Sequence, residues 1–120
     1  MKFLIVDEIG SYADVLVKFL KDKGHFVELM TSADENSPLS ILHERRSQEV
    51  DILIFHTGGM PQASALTFCS FARQLWPNMV IVVDGIGSAY SQVADFIDVR
   101  PGPKEVGEII ELANIKSARR

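Results

Sequence analysis

The chain has 120 residues, of which 47% are hydrophobic and 23% charged, a balance typical of one compact globular domain. Its net charge of −4 argues against nucleic-acid binding by this domain alone, and no apolar run approaches the roughly 20 residues that a membrane span needs. The single cysteine, Cys69, excludes an internal disulfide and is expected to be buried in the core.

Five short apolar runs are predicted to be strands, because each is too short for a helix and rich in strand-forming residues. They cover residues 3–6, 26–30, 52–55, 79–83 and, with fewer apolar residues, 96–99. Most of the segments between them repeat apolar residues at helical spacing. Strands that alternate with helices indicate a mostly parallel sheet covered on both faces.

Four helices are predicted between or after these strands. The first starts at Ser11 and ends at Gly24, the second starts at residues 37–38, the third ends before Pro77, and the last follows Pro103. The apolar residues that these helices carry, most of them expected in the core, are Val15, Leu16, Phe19 and Leu20, then Leu39, Ile41 and Leu42, then Leu66, Phe68, Cys69, Phe71, Ala72, Leu75 and Trp76, and finally Val106, Ile109, Ile110 and Ala113.

The domain is expected to span residues 1–115, with residues 116–120 forming a polar tail or the start of a linker. The first residues lack the long apolar stretch and the small-residue cleavage site of a signal peptide. A cytoplasmic location is therefore expected. In a parallel sheet of this kind, ligands bind outside the carboxyl ends of the strands. Five polar residues follow those ends and are expected to meet in one shallow cleft: Asp7, Glu8, His56, Asp84 and Arg100.

The order of these segments resembles the receiver domain of bacterial response regulators over nearly the whole chain. The resemblance rests on FLIVDE at residues 3–8, DILIFH at 51–56, VIVVDG at 80–85 and RP at 100–101. It implies a flavodoxin-like, doubly wound, five-stranded parallel sheet in three α/β/α layers. The short stretch between Asp84 and the RP pair implies that the fourth helix of the family is shortened or replaced by a loop, as in the pseudo-receiver domains of cyanobacterial clock proteins.

The resemblance also assigns family positions to the polar residues of the cleft. In the family, an acid pair binds Mg²⁺, and this pair is kept as Asp7 and Glu8. A cis peptide bond is implied before Pro101. Four positions differ from the family pattern: His56 stands at the phosphoacceptor aspartate, Asp84 at the strand-four serine or threonine, Ile97 at the aromatic switch and Arg100 at the lysine.

These substitutions predict a non-enzymatic, receiver-like signalling domain that acts by phosphorylation-independent protein–protein interaction. His56 cannot replace a carboxylate that bridges Mg²⁺, since Mg²⁺ prefers oxygen ligands, and Asp84 would repel a phosphoryl group. No cofactor is therefore expected. The expected partner is another protein, an output domain or a second copy, contacting residues 88–107.

Other interpretations of the cleft remain open at the level of sequence. The main alternative is a metal- or small-ligand-binding domain, in which Zn²⁺, Mn²⁺ or Ni²⁺ would suit a histidine among carboxylates. His56 could also belong to a hydrogen-bonded network in which Arg100 pairs with Asp84 or Asp7, sense protons, or carry a phosphoryl group itself. A conventional receiver would need Asp51 as its acceptor, but Asp51 lies at the start of the predicted strand.

Overall fold

The computed structural model describes residues 1–6, 10–30, 49–56, 62–84, 92–97 and 102–118. The strands are β1 (Lys2–Val6), β2 (Phe26–Met30), β3 (Ile52–His56), β4 (Val80–Asp84) and β5 (Phe96–Ile97). The helices are α1 (Gly10–Asp22), α2 (Gln62–Leu75) and α3 (Pro103–Ala118). The helix predicted from residues 37–38 lies outside the described residues.

The five strands form one parallel sheet in the order β2-β1-β3-β4-β5. This is the strand order of a flavodoxin-like doubly wound sheet, and the predicted fold class is confirmed. The order in which successive strands are added changes direction between β1 and β3. Because all the strands are parallel, the carboxyl ends of β1, β3 and β4 lie at the same edge of the sheet. That edge is where the sequence places the polar cleft.

Apolar side chains pack on both faces of the sheet, because successive strand residues point to opposite sides. One buried cluster joins Leu53, Phe55, Ile81 and Val83 to α2, through residues that include Phe68, Cys69 and Ala72. The other joins Phe3, Ile5, Ile52, Ile54, Val80 and Val82 to α1 and α3, through residues that include Leu16, Leu20, Val106 and Ile109. The three-layer arrangement follows from this division.

The predicted burial of Cys69 is confirmed, since its side chain is fully buried. Burial raises the pKa of the thiol to about 12, against a smaller opposite effect of Arg73. The thiol is therefore protonated at neutral pH and packs as a small apolar group.

Two expectations about the helices need correction or extension. Val15 is one of the apolar residues that give α1 its helical spacing, but it is 71% exposed, because Leu16 and Leu20 face the sheet and Val15 lies on another side of the helix. α3 continues through Ala118, so residues 116–118 are helical although the sequence suggests a tail. None of the helices in the described ranges is both long and apolar enough to span a membrane.

The connection from β4 to β5 is short. Within it, the described residues 92–95 contain no α-helix, and residues 85–91 lie outside the described part of the chain. A shortened fourth helix, or a loop in its place, fits the few residues that this connection has. The order of β4 and β5 in the sheet is kept all the same.

Gly24 and Gly107 both have room for a side chain but differ in backbone conformation. A Cβ atom would meet no atom within 4 Å at either Gly24 or Gly107, but only Gly24 has a left-handed φ, of 88°. Gly107 is exposed in the middle of α3. Glycine at such a position loses more backbone entropy on folding than alanine does.

Replacing Gly107 with alanine should therefore raise the free energy of unfolding by about 0.5–1 kcal/mol. Gly24→Ala should lower it by about 1–2 kcal/mol, because alanine is strained in the left-handed region. Urea denaturation followed by circular dichroism measures both. Destabilisation by Gly107→Ala would show that this position needs glycine for a reason other than local propensity.

Candidate functional site

His56 marks the point at which β3 leaves the core. The four residues before it, 52–55, are each at most 2% exposed, whereas His56 itself is half-buried. The backbone of β3 places His56 in register with Asp84, the last residue of β4. In-register residues on neighbouring strands lie roughly 5 Å apart and belong to the same face of the sheet. The structure therefore brings together two of the five residues expected in the cleft.

The neighbouring strands fix the other boundaries of this site. β1 ends at Val6, which pairs with Phe55, one residue before His56. On the other side of β4, Ile97 pairs with Val83, one residue before Asp84. Ile97, which the resemblance assigns to the aromatic-switch position, is thus next to the expected cleft in the backbone ladder. The acid pair Asp7 and Glu8, and the pair Arg100 and Pro101 with its expected cis peptide, lie outside the described residues.

Histidine beside aspartate limits the chemistry of the edge. An imidazole can donate or accept a hydrogen bond, and it can bind a transition metal, but it cannot form the acyl phosphate that a carboxylate forms. Within the described ranges, no group of three or more histidine, cysteine or acidic residues is arranged to hold a metal ion. His56 and Asp84 could supply two ligands at most, so a metal site here would need further groups.

Asp51 lies at the opposite end of β3, as its place in the sequence indicates. Its carboxylate Oδ2 accepts a hydrogen bond of 2.9 Å from the backbone N–H of Lys2. Its own backbone pairs with both neighbouring strands, since its N–H donates to the Lys2 carbonyl and its carbonyl accepts from Val80 N–H. Asp51 therefore holds the beginnings of three strands together and lies at the edge opposite the cleft.

His25 is half-buried at that same amino edge. Its Nδ1 is 3.2 Å from the N-terminal ammonium of Met1, and its ring packs edge-on against Phe3 at a centroid distance of 5.1 Å. Burial lowers the pKa of His25, and the ammonium charge lowers it further. These contacts give His25 a packing role away from the cleft, and no sequence motif announces them.

Solved structures share this architecture, although no protein-family model and no curated protein sequence matches the chain. A response regulator receiver domain from Clostridium thermocellum aligns with a TM-score of 0.75 and 20% identity, covering 99% of this chain and 98% of that one. The response regulator TrrA from Thermotoga maritima, solved with Mg²⁺ and BeF, aligns with a TM-score of 0.67 and 20% identity over 93% and 97% of the two chains.

A third similar structure is a pilus assembly-related protein from Burkholderia pseudomallei, with a TM-score of 0.68 and 16% identity over 97% of this chain and 90% of that one. All three alignments extend over nearly the full length of both chains. Identities of 14–20% across such structures establish a shared architecture and no more. The chain therefore has the fold of a response regulator receiver domain.

Proposed function

We propose that the chain is a receiver-like signalling domain that acts by binding another protein and does not use aspartyl phosphorylation. The observation that carries this proposal is the position of His56, at the carboxyl end of β3 and in register with Asp84. A receiver that follows the family pattern has its phosphoacceptor aspartate at this place. The fold supports the signalling role, and His56 at the acceptor position supports a mechanism without aspartyl phosphorylation.

The chemistry of the two residues supports this conclusion. Phosphoryl transfer needs an in-line nucleophile, a metal ion that neutralises charge and a donor for the phosphoryl oxygens. His56 does not offer the carboxylate that would serve both the metal and the phosphorus atom. A carboxylate at position 84 would also add negative charge beside a phosphoryl group, in place of a hydroxyl donor.

The expected partner is a protein, and a complex of one protein with this fold supports that expectation. TrrA has also been solved in complex with the histidine kinase ThkA, and that structure aligns with this chain with a TM-score of 0.70 and 19% identity. In this chain, we propose that residues 88–107 form the contact surface, which includes β5 and the first turn of α3. An output domain or a second copy would serve equally as partner, in the cytoplasm.

Incubation with acetyl phosphate and Mg²⁺ should leave the intact mass of the protein unchanged, since no carboxylate occupies the acceptor position. The measurement is made at neutral pH, because phosphohistidine is lost in acid. A receiver domain that has the aspartate is the positive control. A stable adduct of one phosphoryl group would contradict the proposal.

Two variants would locate such an adduct. Loss of the adduct in His56→Ala would assign the phosphoryl group to the imidazole. Loss of the adduct in Asp51→Asn would assign it to the Asp51 carboxylate, an acceptor that the position of Asp51 at the other end of β3 disfavours.

The juxtaposition of His56 and Asp84 also permits a test of the alternative, a cleft that binds metal or a small ligand. Calorimetric titration with Zn²⁺, Mn²⁺ and Mg²⁺ should give the same result for the wild type and for His56→Ala. The matched control is His25→Ala, which removes a half-buried histidine from the opposite edge. Binding that His56→Ala abolishes and His25→Ala retains would favour the alternative.

A further inference from the structure

A group of three charged side chains lies at the amino edge of β4 and β5, away from the cleft. The carboxylate of Asp95, directly before β5, has its Oδ2 2.9 Å from Arg73 Nη2 of α2 and its Oδ1 2.7 Å from Lys116 Nζ of α3. Oδ2 also accepts a hydrogen bond of 2.9 Å from the backbone N–H of Ile81 in β4. One carboxylate thus connects β5 to two helices and to the neighbouring strand.

Both cations are held in place by backbone carbonyls near the beginnings of β4 and β5. Arg73 donates to the carbonyls of Pro77 and Met79 and, at 3.2 Å, to that of Val93. Lys116 donates to the Met79 carbonyl at 3.3 Å. The three charged side chains are only 18–28% exposed, so water and salt screen their interactions less than those of surface pairs.

The strand next to this group is short in the described part of the chain. β5 is described over two residues, which pair with Val82 and Val83 at the edge of the sheet. Such a short edge strand has few ladder hydrogen bonds of its own. The N–H of Asp95 donates to the Ile81 carbonyl at 2.8 Å, and the Asp95 carboxylate accepts from the Ile81 N–H. Asp95 therefore adds two hydrogen bonds to β4 beside those of the β5 ladder.

We propose that Arg73, Asp95 and Lys116 form an electrostatic lock, which fixes β5 and the last turns of α3 against β4 as one unit. When the lock is broken, β5 and the end of α3 open together while β1 and β3 stay folded. This inference goes beyond the proposed signalling role, because it concerns the chain alone. Its test uses neither partner nor phosphate, so its failure would be distinct from failure of that role.

The test is native-state hydrogen exchange measured by NMR on Asp95→Asn, which removes the charge and nearly preserves the shape. Exchange protection of the Ile81 amide, of the residue-95 amide and of the last turns of α3 should fall at least about tenfold, as expected when charge-assisted bonds that limit local opening are lost. Protection in β1 and β3 should stay unchanged. Asp22→Asn, at an exposed acid of α1, is the matched control and should alter none of these amides.

A second variant keeps the test decisive if Asp95→Asn does not fold. Lys116→Gln removes one cation and leaves Arg73, and it should produce a smaller loss at the same amides. Lys104→Gln, at an exposed lysine of the same helix, is its control. Unchanged protection at Ile81 would overturn the lock, because it would show that the charged group does not limit local opening. An equal loss of protection throughout the sheet would also overturn it, because the opening would then not be confined to β5 and the end of α3.

Acid should open the lock as the substitution does. Burial pushes the pKa of Asp95 upward, but the bonds from Lys116, Ile81 and Arg73 outweigh it and leave the pKa below its ordinary value. A pKa lower in the folded state than the unfolded value of roughly 3.9 gives stability that is complete above that value and is lost as pH falls through the folded pKa.

Protection at the Ile81 amide, corrected for intrinsic exchange rates, should therefore fall over this acid range in the wild type. Arg73 and Lys116 are the charged groups that contact Asp95 from α2 and α3. Asp95→Asn should lack this acid-dependent step. The same step in the variant would assign it to another carboxylate and count against the lock.

Discussion

The burial of β3 and β4 on both faces is the constraint on which the other elements depend. Their apolar residues, 52–55 and 80–83, are at most 2% exposed. Burying such a side chain stabilises the fold by roughly 1.5–3 kcal/mol, but only while helices cover both faces of the sheet. The first residue of β3 that escapes this burial is His56. The location of the candidate site is thus set by where the apolar run ends.

The same constraint explains which parts of the fold were predictable. Central strands that are buried on both sides appear as continuous apolar runs, so their positions and their parallel order follow from the sequence. Helical spacing is less decisive, because α1 has apolar residues at adjacent positions. Leu16 and Leu20 face the sheet, whereas the adjacent Val15 is exposed. Periodicity identified the helix, but the tertiary packing selected its inner face.

The sequence predicts which residues come together at the candidate site, but it does not predict the side-chain contacts elsewhere in the fold. Parallel strands in register bring His56 beside Asp84 whatever their rotamers, so the order and the register of the strands are sufficient. The Asp95 lock gives no signal in the sequence, because Arg73 lies 22 residues before Asp95 and no motif connects them. Which aspartate meets which cation depends on how α2 and α3 pack, and that is a property of the whole fold.

Charged residues are arranged differently at the amino and carboxyl ends of the strands, and this difference bears on how the domain could work. At the amino edge, the carboxylate of Asp95 meets two cations of the same chain, and this arrangement fixes β5 from within. At the carboxyl edge, the strand positions place His56 in register with Asp84. Under the proposed function, a domain with this arrangement would need no bound phosphoryl group to hold β5. Its contact surface would be set by its own ion pairs, and its signal would then depend on when a partner is present.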